Sequence, residues 1–180
     1  MYESQLIEGC KKNDRKAQQE LYEKYHRKMV SLCLRYVSGD SETARDLTQE
    51  GFAKVFTSIR GFSGTGSFEG WMRKVFVNCA LEYLRKWDAL RESVGLEYVA
   101  DPAGADMSVV SRLTAEELMG LIAELPAGFR TVFNLFAIEG FSHKEIGEML
   151  HITESTSRSQ LTRAKQLLQH RVKELYGIDG

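Results

Sequence analysis

The chain has 180 residues, 43% hydrophobic and 27% charged, with a net charge of −1. That is enough apolar material for one core or two small ones, and the whole molecule is no polycation. Two prolines and no alternating apolar runs exclude most β architectures and predict an all-α fold.

Leu6, Ile7 and Cys10 predict a short first helix. Asp14 is placed to cap a long second one, in which Ala17, Leu21, Tyr25, Met29, Leu32 and Tyr36 keep a helical step. Gly39 ends it. Asp40 or Ser41 opens a third helix to about Ile59, with Ala44, Leu47, Val55, Phe56 and Ile59 inward. Asp46, Gln49 and Glu50 fall on its polar side, where a solvated face is the plain alternative to a binding surface.

The stretch GFSGTGS at 61–67 has three glycines but no following Lys-Ser/Thr and no preceding strand, which excludes a phosphate loop. Ser67 caps a fourth helix carrying Phe68, Trp71, Met72, Val75, Cys79, Ala80, Tyr83, Leu84 and Trp87, interleaved with Arg73, Lys74, Arg85 and Lys86. Met72, Val75 and Leu84 read as core. An aromatic and basic helix beside a Gly-rich loop suits unstacked single-stranded bases, held by stacking and phosphate contacts. Cys10, Cys33 and Cys79 are far apart and set in apolar helical patterns. They read as reduced, buried thiols rather than a disulfide framework or a metal site. No cofactor is expected. No signal peptide opens the chain and no apolar run reaches roughly 18 residues, so a cytoplasmic protein without membrane insertion is expected.

Helical periodicity fails over 88–112, which holds two basic and five acidic residues and the run DPAGAD. This composition predicts a flexible linker between two small helical domains, 1–87 and 113–180. The first has 15 basic and 11 acidic residues, the second seven and nine. In the second, Thr114 and Glu117 form a capping box, followed by Leu118, Leu121, Ile122 and Leu125. Pro126 is pre-organised for the next first turn, and that helix buries Phe129, Val132, Phe133 and Phe136 before Gly140. Ser142 and Glu145 form another capping box, with Ile146, Met149 and Leu150 on one side of its helix. His151 and Ile152 make a tight break, and Thr153 caps the last helix, with Glu154 in its first turn.

Residues 113–180 are therefore a four-helix unit ending in a helix-turn-helix. In its last helix Leu161, Ala164, Leu168, Val172 and Leu175 form the buried stripe. A step of about 100° per residue turns Ser155, Ser159, Thr162, Arg163 and Gln166 outward, flanked by Arg158 and Lys165. From Ser155 to Lys173 there are five basic residues and no acid. A small, polar and basic face at a helix N-terminus can enter a major groove. An ordinary helical hairpin with a charged outer face is the competing interpretation.

Together these stretches resemble the extracytoplasmic-function sigma factors, the smallest class of bacterial RNA polymerase sigma subunits. DLTQEGFAKVF at 46–56 resembles the family's polymerase-binding helix. SFEGWMRKVFVNCALEYLRK at 67–86 resembles its −10 segment, with Trp71, Asn78 and Arg85 at the family's spacing. LPAGFRTVFNLFAIEGFSHKEIGEMLHITESTSRSQLTRAKQLL at 125–168 resembles its −35-binding domain. The resemblance implies that Asp46, Gln49 and Glu50 meet core RNA polymerase. It implies that the loop at 61–67 with Phe68, Trp71, Arg73, Asn78, Arg85 and Lys86 holds the opened −10 strand. Ser155, Thr156, Arg158, Ser159, Gln160, Arg163 and Lys165 would bind the −35 duplex of promoter DNA. An inhibitory anti-sigma factor is an expected partner, and the free chain is expected to be a monomer.

Some positions depart from the family pattern. Ser157 stands where a branched apolar residue is usual, and its hydroxyl is expected to bond back to the Thr153 carbonyl. Ser155 replaces a frequent Gly, Gln160 a basic residue, Gly147 an Ala and Glu82 an Asp; Gly147 is expected to allow closer helix contact. A stand-alone regulator would explain 141–173 but not the first domain. An enzyme has little support, because His26, His143, His151 and His170 form no metal spacing and no nucleophile–base pair can be placed.

Overall fold

The structure, a computed structural model, describes residues 1–86 and 113–177, and every element among them is helical. Trp87 and the expected linker at 88–112 lie outside the described residues. The chain divides into two compact units, Met1–Tyr83 and Leu84–Gly180.

The first unit contains α1 (Glu3–Lys11), α2 (Arg15–Tyr36), α3 (Ser41–Ser58), a 3₁₀ turn (Ile59–Gly61) and most of α4 (Phe68–Lys86). Its helix starts are set by side-chain acceptors. Asp14 takes the N–H groups of Lys16 and Ala17, at 2.8 and 3.4 Å, and Asp40 takes those of Glu42 and Thr43. The stripe of α2 is buried as its periodicity predicts, from Ala17 to Tyr36. After Tyr36 the chain turns through Ser38 and Gly39, both left-handed, and the Gly39 N–H returns to the Leu34 carbonyl at 3.1 Å.

Helix α3 buries Ala44, Leu47 and Val55 as expected, with Ile59 just after it, but its buried face is wider than the spacing implies. Thr48, Gly51 and Phe52 are buried, while Phe56 is only half-buried. The cause is a close approach at Gly51: a Cβ there would fall 2.3 Å from the Phe76 ring of α4. Phe76 is fully buried, and with Val77 and Leu81 it fills the core face, leaving Val75 at the margin. Thr48 answers its own burial by donating to the Ala44 carbonyl at 2.7 Å.

The second unit contains α5 (Ala115–Ala123), α6 (Ala127–Phe133) with a π turn (Asn134–Ile138), α7 (His143–Leu150) and α8 (Glu154–Tyr176). Both capping boxes form: Thr114 with Glu117, and Ser142 with Glu145. Pro126 stands one residue before the first turn of α6 rather than inside it. Every residue from Ala127 to Leu135 is buried, so α6 is the central helix. Phe136 is half-buried, because the π turn swings it toward α7. The stripe of α8 is Ser157, Leu161, Ala164, Leu168 and Val172. Leu175, expected in that stripe, is 68% exposed. All of 173–177 is exposed, although the Tyr176 hydroxyl still donates to Glu117 of α5 at 3.0 Å.

Two helix glycines make opposite predictions. Gly51→Ala forces a methyl into a buried ring and destabilises the first unit by about 1–3 kcal/mol. Gly120 has open space around its Cβ position. Gly120→Ala therefore stabilises α5 by about 0.5–1 kcal/mol. Thermal melting of the two single variants, with opposite shifts from the parent chain, is the check.

Candidate nucleic-acid interface

The turn between α7 and α8 is closed by backbone. His151 adopts the left-handed conformation, φ 56°, and the Ile152 N–H donates to the Gly147 carbonyl at 3.0 Å. A Cβ on Gly147 would lie 2.7 Å from the Ile152 carbonyl oxygen. Glycine thus permits the expected close contact, but the neighbour is the backbone of the turn itself. Thr153 then starts α8, its hydroxyl accepting the Thr156 N–H at 3.0 Å.

On α8, Ser155, Arg158, Ser159, Thr162 and Arg163 are all exposed. Their spacing puts them on one continuous face near the helix N-terminus. Arg158, expected at the flank, lies within that face. Its guanidinium donates to Glu154 at 2.9 Å, an i,i+4 pair. Gln160, Lys165 and Gln166 are half-buried at the edges. Thr156 is half-buried too, and its hydroxyl is tied to Thr153 at 2.9 Å. The Ser159 and Thr162 hydroxyls donate to the carbonyls of Thr156 and Arg158, both at 3.0 Å, which leaves their oxygens free only to accept.

Ser157 corrects an expectation. Its side chain is fully buried and its oxygen lies 2.8 Å from Nδ1 of His143 on α7, rather than on the Thr153 carbonyl. The imidazole stacks on Phe136, with centroids 4.4 Å apart and an interplanar angle of 13°. Burial holds the His143 pKa below its ordinary 6.5; Arg158 and Lys165 push the same way, and Glu154 opposes them. Its folded value is lowered, so its contribution to stability is complete above pH 6.5 and declines as pH falls below that. No periodicity could reveal this pair, whereas the Glu154–Arg158 spacing was visible in the sequence.

Helices α3 and α4 carry two further surfaces. The Ser67 hydroxyl caps α4 by accepting the Gly70 N–H at 2.8 Å. Phe62 anchors the preceding loop, its ring 5.3 Å from Phe68 and 5.6 Å from Trp71, while 63–67 is exposed. Phe68 departs from its expected role in strand binding. It is 2% exposed, packed among Tyr25, Phe62 and Trp71, and has no surface to offer a base. Trp71 is half-buried, and Asn78 and Arg85 are exposed. Seven-residue steps place these three on one side of α4. Lys74 and Lys86 are also exposed, and Arg73 is half-buried.

On α3, Asp46, Gln49 and Glu50 are exposed together. Glu50 also accepts from Lys54 at 3.2 Å, and Lys54 reaches Glu82 of α4 at 2.6 Å. The hydrogen bond to Glu82 is the largest cause of the raised Lys54 pKa, so the ammonium stays charged. Glu50 is thus partly engaged in holding α3 to α4, which leaves Asp46 and Gln49 as the unencumbered pair on this face.

Cys10, Cys33 and Cys79 are free and buried, and burial pushes the Cys33 thiol up to about 11. Among the described residues no group of His, Cys, Asp or Glu could hold a metal ion, and no helix is long and apolar enough to cross a membrane.

Residues 21–89 match the family Sigma-70 region 2, and residues 115–168 match Sigma-70, region 4. The chain is 28% identical to the ECF RNA polymerase sigma-E factor of Haemophilus influenzae, over 94% of this chain and 95% of that protein. It is 29% identical to the sigma-E factor of Escherichia coli, over 94% of each. It is 36% identical to the ECF sigma factor SigE of Mycolicibacterium smegmatis, over 74% of this chain and 53% of that one. Its fold is similar to that of CnrH, solved with the cytosolic domain of CnrY, at 16% identity and a TM-score of 0.51 over 97% of each chain. It is also similar to the sigma factor RpoE of Bartonella quintana, solved with the anti-sigma factor NepR, at 20% identity and a TM-score of 0.52 over 90% of this chain and 98% of that one. With the two sigma-70 regions in order and the sigma-E factors of Haemophilus influenzae and Escherichia coli matched along nearly their whole length, the chain belongs to the extracytoplasmic-function RNA polymerase sigma factors, which are non-enzymatic transcription initiation factors.

Proposed function

We propose that the chain directs core RNA polymerase to a two-element promoter, with 1–87 serving the polymerase and the opened −10 strand, 88–112 linking, and 113–180 reading the −35 duplex. The observation that carries this reading is the exposed face of α8, running from Ser155 to Arg163, in a chain that also carries sigma-70 region 2. Arg158 has the reach and planar donors for a guanine edge, and Arg163 and Lys165 suit phosphates. Leaving Glu154 costs Arg158 little, since exposed i,i+4 pairs contribute about 0.3–0.5 kcal/mol. On α4, Trp71 offers a ring face and Asn78 an amide to unstacked bases, while Arg85 and Lys86 offer charge to the strand backbone. On α3, Asp46 and Gln49 form the polymerase contact, with Glu50 beside them. An anti-sigma factor is a further partner, supported by two similar folds that were each solved with a bound second protein, one of them called an anti-sigma factor. A protein acting on promoters with core polymerase has the cytoplasm as its site of action.

The free chain should bind promoter duplex weakly. Residues 113–180 carry seven basic and nine acidic residues, and phosphate neutralisation supplies most non-specific affinity. Fluorescence anisotropy near physiological salt, with and without core enzyme, tests the proposal: sequence-specific binding appears only with core. Asp46→Ala and Gln49→Ala should weaken core affinity while shifting stability by no more than about 0.5 kcal/mol. A free chain reaching about 10⁻⁸ M on a duplex operator would instead make it a stand-alone regulator.

Strand opening gives a separate test. Trp71→Ala and Asn78→Ala in the holoenzyme should abolish permanganate reactivity of −10 thymines while duplex binding persists. Normal reactivity in both would make these side chains structural.

For the duplex, Arg158→Ala should erase roughly 1–3 kcal/mol of discrimination at the base it reads, and Arg163→Ala should weaken all sequences alike. Binding across single-base −35 variants separates these roles, and an unchanged profile for Arg158→Ala would reduce that residue to positioning.

A further inference from the structure

We infer that His143 and Ser157 are positioning residues for duplex recognition, whose hydrogen bond, backed by the Phe136 ring, sets the orientation in which α8 leaves the turn. The inference rests on the reading that α8 binds the −35 duplex. Three elements meet at this point: Phe136 from the π turn, His143 from the first turn of α7, and Ser157 from the first turns of α8. Ser157 is fully buried and sits in sequence between Thr156 and Arg158, both expected at the duplex. Whatever fixes Ser157 therefore fixes where Arg158 leaves the helix.

A branched apolar side chain at this position would also fill space, but it would resist sliding and rotation only through packing. A hydrogen bond of 2.8 Å is directional, so it restricts the angle between the two helices as well as their distance. The near-parallel stack on Phe136 holds the ring plane, which leaves Nδ1 aimed at one point. The charges of Arg158, Lys165 and Glu154 on α8 act on the imidazole, and burial with the two cations favours the neutral ring. A buried hydroxyl needs a partner, which gives the pair a reason to stay formed.

The test uses the full chain bound to core polymerase, with Ser157→Ala, His143→Phe and the double variant. His143→Phe keeps an aromatic ring against Phe136 and removes the nitrogen. Each single variant should weaken −35-dependent promoter binding roughly five- to tenfold, as expected for one lost buried hydrogen bond. The double variant should be no worse than either single, because both remove one interaction. Core affinity should not change, and melting should show all variants folded at the assay temperature. Nitrogen-15 spectra of the free chain test the contact without DNA: Ser157→Ala should shift the His143 Nδ1 resonance. An unshifted resonance, or folded variants with parental −35 affinity, overturns the inference. Loss of −35 dependence in the unsubstituted holoenzyme instead overturns the function reading on which the inference rests.

Discussion

A helix with no solvent face must answer every polar group it carries from within the protein, and α6 imposes that constraint on the second unit. Arg130 is 7% exposed in its middle and donates to the Leu125 carbonyl at 3.0 Å, with the Ala123 carbonyl at 3.4 Å. Those carbonyls lie at and just beyond the C-terminus of α5, where carbonyls lack helical partners and the dipole favours a cation. One buried charge thereby closes the end of a neighbouring helix. Thr131 satisfies itself on the Ala127 carbonyl at 2.7 Å. Beside these polar contacts α6 presents Phe129, Val132 and Phe133 to the core, and α8 packs along it. The outward face of α8 is defined by what that packing leaves over.

The first unit is built on aromatic contact rather than on a buried charge. Phe76 meets Phe52 edge-on with centroids 5.2 Å apart, directly beside Gly51. Phe68 joins Tyr25, Phe62 and Trp71 at the start of α4. Such pairs fix ring planes as well as burying area. The consequence for function is positional: Phe68 and Phe62 hold Trp71 half out of the core beneath a loop whose Gly64 and Gly66 both have positive φ. Ion pairs then trim the arrangement from outside. Lys28 meets Glu69 at 2.8 Å between α2 and α4, and Lys54 joins α3 to α4. These exposed pairs orient more than they stabilise.

Helix boundaries were legible in the sequence because capping is local. Asp14, Asp40, Thr114, Ser142 and Thr153 each satisfy N–H groups two or three residues ahead, and short-range chemistry of that kind does not depend on what the helix later packs against. The stripes of α2 and most of α8, the helix-turn-helix and the polar sides of α3 and α8 followed from residue spacing in the same way. The all-helical fold followed from the two prolines and the lack of alternating apolar runs, and the resemblance to sigma factors was carried by the motifs at 46–56, 67–86 and 125–168.

Tertiary structure decided what depends on a second element. Periodicity cannot say how wide a buried face is or where its edge falls, so Phe56 and Val75 lie at the margin beside the close approach of Gly51 and Phe76. It cannot say where the neighbouring surface ends, so Leu175 lies in solvent although it continues the stripe. Aromatic residues look alike in a sequence whether they face core or solvent, and only packing removed Phe68 from the strand-binding set while leaving Trp71 in it. Residue type alone does not say where Arg130 and Ser157 find their partners. Their actual partners, the end of α5 and the ring of His143, are brought within hydrogen-bond distance only by the fold.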